Sequence, residues 1–214
     1  METRTHAEMD EITLPFRQNR PLQLMILWLV LVWGVTAIKP LYPTDWVLEN
    51  LLTYIYGVLL IVTHRRFKFS NTSYGLFTVF LTLHMIGAHY TYAETPIGYW
   101  MQEWFGFTRN HYDRVVHFSY GLLLVVPMRE AVVRIVGVPL RWSRFMAVIM
   151  ILSFSAFYEL LEMWTAIIVS PELGDAYLGT QGDVWDAQRD TFLAFAGAIV
   201  TMLFGAWRKK AESA

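Results

Sequence analysis

Six apolar stretches, at residues 22–38, 46–62, 74–92, 112–128, 145–169 and 191–207, divide this chain, and the polar segments between them alternate in charge. A bilayer's hydrocarbon core takes a helix of roughly 20 residues, within about 17–25, and all six stretches sit near or inside that range. Arg4, Arg17 and Arg20 precede the first stretch, and Arg65, Arg66 and Lys68 follow the second. Arg129, Arg134, Arg141 and Arg144 follow the fourth, and Arg208, Lys209 and Lys210 follow the sixth. These are 13 of the 17 Lys and Arg; Lys39, Arg109, Arg114 and Arg189 fall on the other side. Basic connections stay on the cytoplasmic face, so the pattern predicts an all-α polytopic membrane protein with both termini cytoplasmic. The expected plan is a cytoplasmic tail over 1–21, one bundle of six transmembrane helices over 22–207, and a second cytoplasmic tail over 208–214.

At 55% hydrophobic and 16% charged residues, with mean hydropathy +0.36, the composition is too apolar for an ordinary soluble domain. A soluble helical bundle has no reason to sort basic residues into alternate loops. A membrane barrel is disfavoured too, because runs such as 22–35 do not alternate with a period of two. The acidic N-terminal tail lacks a small-residue cleavage site, so the first stretch reads as a retained helix and not a signal peptide. The absence of cysteine excludes disulfides, Cys-ligated clusters and Cys nucleophiles. Topology and anionic lipid account for the basic residues, which leaves membrane lipid as the expected partner and gives no nucleic-acid role. No feature identifies a protein partner.

The acids sort oppositely. Twelve of the 18 lie in outer connections or outer helix halves: Asp45, Glu49, Glu94, Glu103, Asp113, Glu159, Glu162, Glu172, Asp175, Asp183, Asp186 and Asp190. His84, His89, His111 and His117 lie there as well. An ionisable group in hydrocarbon costs about 2.5–3.5 kcal/mol on insertion scales, so an interior polar site is the default explanation. Asp113 with His117, Glu159 with Glu162, and Asp186 with Asp190 are three or four apart and share a helical face. His84 and His89, about 140° apart around a helix, are poorly placed to bind one ion together. Imidazoles with carboxylates suit zinc, manganese or iron, and bundles build such sites from facing helices.

The expected ligands of a divalent ion are therefore His84 or His89, His117, Glu159 and Asp190. Glu162 or Asp186 would accept a proton from metal-bound water, and Arg114 would contact an anionic headgroup. Asp113, Glu94, His111 and Asp183 are secondary candidates. A charge-paired core, with Arg114 on Asp113 or Glu94 and Arg189 on Asp186, is the plainer alternative. Asp183 also reads as a helix cap, and His111 as an interfacial histidine. No complete metalloenzyme, serine-hydrolase or phosphate-loop motif occurs.

Elsewhere, the aromatic segment 93–110 suits a belt at headgroup depth or a lid. Residues 132–140 suit an interfacial segment on the cytoplasmic leaflet, and Pro127 is placed to bend the helix before it.

Four segments together resemble the YjdF-like inner-membrane proteins of bacteria: His84-Met85-Ile86-Gly87-Ala88-His89-Tyr90-Thr91-Tyr92, Asn110-His111-Tyr112-Asp113-Arg114-Val115-Val116-His117-Phe118, Phe157-Tyr158-Glu159-Leu160-Leu161-Glu162, and Gly182-Asp183-Val184-Trp185-Asp186-Ala187-Gln188-Arg189-Asp190. The last segment, with Ala194 to Gly197, is more distantly similar to VanZ-like membrane proteins. The resemblance implies a bacterial inner-membrane protein and carries over no catalytic role. Two functions are expected from the residues: metal-assisted hydrolysis or modification of a lipid or envelope molecule at a periplasm-facing site, or a small transporter or sensor binding a metal ion or solute.

Overall fold

Capping residues fix where several helices begin. In the computed structural model, which describes residues 15–212, α1 (Arg20–Thr36) starts at Asn19, whose side chain accepts from the Leu22 amide at 3.1 Å. Residues 1–14 of the expected N-terminal tail and residues 213–214 of the C-terminal one lie outside the described residues, as do the side chains at 172, 175, 176 and 206–212. Pro43 opens α2 (Pro43–Thr63), with Asp45 in the first turn, where the helix dipole favours an acid. Ser70 caps α3 (Asn71–His89) by accepting from the Ser73 amide at 3.2 Å.

The aromatic segment after α3 is not a plain loop. It contains α4 (Pro96–Phe105), opened by proline and closed by Gly106 at φ 67°. The proline start and glycine stop were readable signals. α5 (Tyr112–Ala131) follows, and the Asn110 side chain accepts from the Tyr112 amide at its start at 3.0 Å. It continues through Pro127 into a π turn over Val132–Val136, so this expected interfacial segment begins as an extension of α5. α6 (Leu140–Ile168), α7 (Pro171–Leu178) and α8 (Asp186–Glu212) complete a wholly helical structure with no strand among the described residues.

The centre is built from α3, α5 and α8, with α6 packed against α5 and α8. Buried Phe80, Leu81, Met85, Val116, Leu124, Ile151, Ala194 and Ala198 form its core. α5 and α8 make the closest pairing. A Cβ on Gly121 would fall 1.7 Å from the Ala194 carbonyl oxygen, and one on Gly197 2.3 Å from that of Phe118. Small residues that let backbones touch are the usual packing device inside membranes.

Among the described residues, α2 and α6 are long and apolar enough to cross a membrane, with mean hydropathies of 1.6 and 1.7. α1 is apolar but shorter, at 17 residues. Only 11% of α2's most apolar window and 17% of α6's is buried within the protein. Val58, Ile61, Val62, Ile167 and Ile168 point outward. So much apolar surface turned away from a core belongs against lipid.

Candidate functional site

Glu49 of α2, His84 of α3, Asp113, Arg114 and His117 of α5, Glu159 and Glu162 of α6, and Asp186 and Asp190 of α8 gather at one end of the bundle, in two adjoining groups of different character. The first group is an ion-pair network around Asp183, Asp186 and Asp190. Arg114 reaches Asp183 and Asp190, each at 2.9 Å, and also pairs with Asp186. Arg109 meets Asp186 at 2.8 Å and Asp183 at 3.5 Å, and Arg189 meets Asp183 at 2.6 Å. Three arginines thus face three aspartates. Arg114 further donates to the Asp186 carbonyl at 3.0 Å, and Arg109 to that of Thr180 at 2.9 Å, tying the loop before α8 to α5.

Asp183, in that loop, loses some hydration, which would raise its pKa. The Trp185 amide and Arg189, Arg114 and Arg109 outweigh this, so it lies below the usual carboxylate range. The charge-paired alternative set Arg114 on Asp113 or Glu94 and Arg189 on Asp186; both arginines do pair with acids, but with other ones. Arg114 selects the α8 aspartates because α5 and α8 pack backbone to backbone, and Glu94 instead accepts from the Tyr42 hydroxyl at 3.1 Å.

The second group surrounds His117 and has no arginine of its own. One ring nitrogen, Nε2, lies 3.4 Å from Asp113, and the other, Nδ1, lies 3.6 Å from Glu159. All three side chains are nearly buried, at 11%, 17% and 12% exposure. Glu162 adjoins Glu159, as their spacing on α6 requires. Asp190 joins the two groups. Its Oδ2 holds Arg114, its Oδ1 is buried without a hydrogen-bond partner, and its carboxylate, Asp113 and His117 offer ligand atoms within 4.8 Å of one another.

Sequence reasoning missed Glu49 as a site residue. It is 3% exposed, faces the same space from α2, and its Oε2 has no hydrogen-bond partner. Glu49 lies past the first turn of α2 and has no ionisable residue three or four positions after it; Asp45, four before it, reads as the helix's dipole partner, so only burial gives Glu49 away. Tyr92, Tyr158 and Tyr177 were missed as well; their rings reach this end of the site from three elements.

The two histidines of α3 have separate settings. His84, 1% exposed, donates through Nε2 to the Glu49 carbonyl at 3.0 Å, so its Nδ1 accepts from the Tyr92 hydroxyl at 2.5 Å. Both nitrogens are occupied by protein groups. His89 turns towards the connection between α1 and α2, with Nδ1 donating to the Thr36 carbonyl at 2.8 Å. The His111 ring lies tilted against Phe107 at a ring separation of 4.5 Å; burial and then Arg109 and Arg114 lower its pKa.

A cavity of about 560 Å³ runs from this polar end along the bundle. Glu49, His84, Asp113, His117 and Glu162 line its head, and apolar side chains of α2, α3, α5 and α6 line the rest. Its volume is that of a ligand pocket.

An all-helical chain that turns apolar faces outward and gathers ionisable groups inside is an integral membrane protein with an internal polar site. It belongs to the family described as predicted membrane protein (DUF2238), which matches residues 21–211. The chain is also similar to inner membrane protein YjdF of Escherichia coli (strain K12): 38% identical over 181 residues, covering 83% of this chain and 85% of that protein. No solved structure matches the chain.

Proposed function

We propose that this is a six-span protein of the bacterial inner membrane whose periplasm-facing site uses a divalent metal ion to hydrolyse or modify a lipid or envelope molecule. The spans are α1, α2, α3, α5, α6 and α8, with both termini cytoplasmic. One observation carries the site. The arginines are matched by Asp183, Asp186 and Asp190, while Glu49, Asp113, Glu159 and Glu162 lie about His117 and about His84, whose two nitrogens are already engaged. Buried carboxylates in such excess must take up protons or a cation.

Asp113, His117 and Asp190 have the separations and donor types that suit zinc, manganese or iron, and Glu159 stands on the other side of the imidazole. The ion would polarise a substrate oxygen or lower the pKa of bound water. Glu162, at the cavity wall, is placed to accept the proton. Arg114 serves this site by holding Asp190 and the start of α8. Its engagement on three aspartates argues against the headgroup contact expected from sequence.

Metal analysis of detergent-purified protein should find a stoichiometric ion. Chelation should lower the melting temperature, and zinc or manganese should restore it. Glu159→Gln or His117→Ala should abolish that recovery. An unchanged melting curve with no stoichiometric metal would overturn the metal site.

A small carrier or sensor is the second reading, favoured by the cavity's length. Its walls reach Thr63 and Ile135 at the far end of the bundle but are apolar there, which suits a chain-bearing ligand better than an ion.

A further inference from the structure

The cavity's two ends differ in chemistry, and that difference specifies an amphiphile. Along α2 its wall runs from Glu49 to Thr63, which is about 21 Å at the helical rise. One leaflet of a bilayer's hydrocarbon core is about 15 Å deep, so the length accommodates a membrane lipid's chain. Below the polar head the walls are Leu52, Leu59, Phe80, Leu124 and Phe154. α2 packs on α3 and α7, and its outward apolar face leaves the cavity beside lipid.

The head selects by charge. Among the described residues lining the cavity there is no arginine or lysine, while Glu49, Asp113 and Glu162 all face it. A phosphate finds no arginine or lysine there, because Arg109 and Arg114 are engaged by the aspartates of the loop and α8, and the His117 imidazole already lies between Asp113 and Glu159. An ammonium group finds carboxylates and the hydroxyls of Tyr92 and Tyr158. Glu49 supplies a buried, unpartnered oxygen at this end of the cavity. With a metal ion on Asp113 and His117, Glu49 and Glu162 would still lack a cation.

We propose that the cavity holds one acyl chain of a phospholipid with a primary ammonium headgroup, the ammonium lying among Glu49, Glu162 and the tyrosine hydroxyls. This rests on the reading of the site as one that acts on lipid, and names the lipid class.

Native mass spectrometry in a neutral detergent tests it, with equal amounts of phosphatidylethanolamine and phosphatidylglycerol carrying identical chains. The expected result is at least tenfold greater retention of the ethanolamine lipid. Glu49→Gln with Glu162→Gln should remove the preference while a lipid is still retained, and Leu59→Trp, which narrows the apolar wall, should reduce retention of both. Circular dichroism and melting of each variant identify loss of fold. Should Leu59→Trp fail to fold, competition by dodecylamine but not dodecanoate for the ethanolamine lipid replaces it. Equal or greater retention of the glycerol lipid, or a preference unaffected by the glutamate changes, overturns the proposal. The preference should persist after chelation, so loss of the metal reading and loss of the lipid reading are told apart.

Discussion

Arg114 and Arg189 both pair with Asp183, yet their surroundings give them different weight. Arg114's side chain is 9% exposed and serves three aspartates, whereas that of Arg189 is 61% exposed. Removing one partner of a buried pair leaves uncompensated charge, so Arg114→Met should cost about 3–5 kcal/mol in detergent unfolding. An exposed pair contributes about 0–1 kcal/mol, so Arg189→Ala should lie within that range. Similar losses from the two changes would contradict the buried network. Asp183 adds a pH signature. Its folded pKa lies below the unfolded 3.8, so its contribution is present above that value and lost as pH falls through the lowered one. Melting temperature followed from about pH 5 to pH 2 should therefore fall less steeply in Asp183→Asn, after allowing for the variant's lower starting stability.

At the scale of elements, the pairing of α5 with α8 is the joint on which the site depends, because it brings Asp113, Arg114 and His117 to Asp186 and Asp190. Gly121 and Gly197 permit it by having no side chain at the contact. Gly121→Leu or Gly197→Leu should destabilise the protein by at least the 1–3 kcal/mol typical of overpacking. Gly57→Leu on α2, with open space around its Cβ, should have little effect. Equal melting of all three variants would mean that the helices do not touch there. The six long apolar stretches were legible as helices because period and length mark them plainly. α4 and α7 were not, although Pro96 with Gly106 marked the first and Pro171 the start of the second, since short polar-flanked helices resemble loops.

For the molecule as a whole, membrane orientation is the property on which the site's exposure turns. Reporter fusions after Lys68 and Met128 should report the cytoplasm, and fusions after Trp100 and Gly182 the periplasm, as the basic residues require. Cytoplasmic accessibility of Gly182 would reverse the side from which a substrate enters. At the opposite end of the bundle a second polar lock holds the connections together. Glu130 accepts from the Ser70 amide at 3.0 Å and from the Ser73 hydroxyl at 2.6 Å, and pairs with Arg134. Glu130→Gln should lower thermal stability while leaving lipid selectivity unchanged, because the lock is remote from the cavity's polar head. A loss of selectivity at unchanged stability would show that the two ends are coupled.

By itself the sequence determined the helical class, the likeness to a membrane family, and the shared faces of Asp113 with His117 and Glu159 with Glu162. These are local or periodic properties, written in hydrophobic length and residue spacing. Which charges neutralise one another was decided only by tertiary structure. Arg114 meets Asp183 across 69 residues because glycines let α5 and α8 approach closely. The packing of α3 against α1 and α2 likewise turned His89 towards Thr36, joined His84 to Glu49, and brought Glu49 to the cavity. Burial and partnership depend on every helix surrounding a residue, and no spacing along one helix contains them.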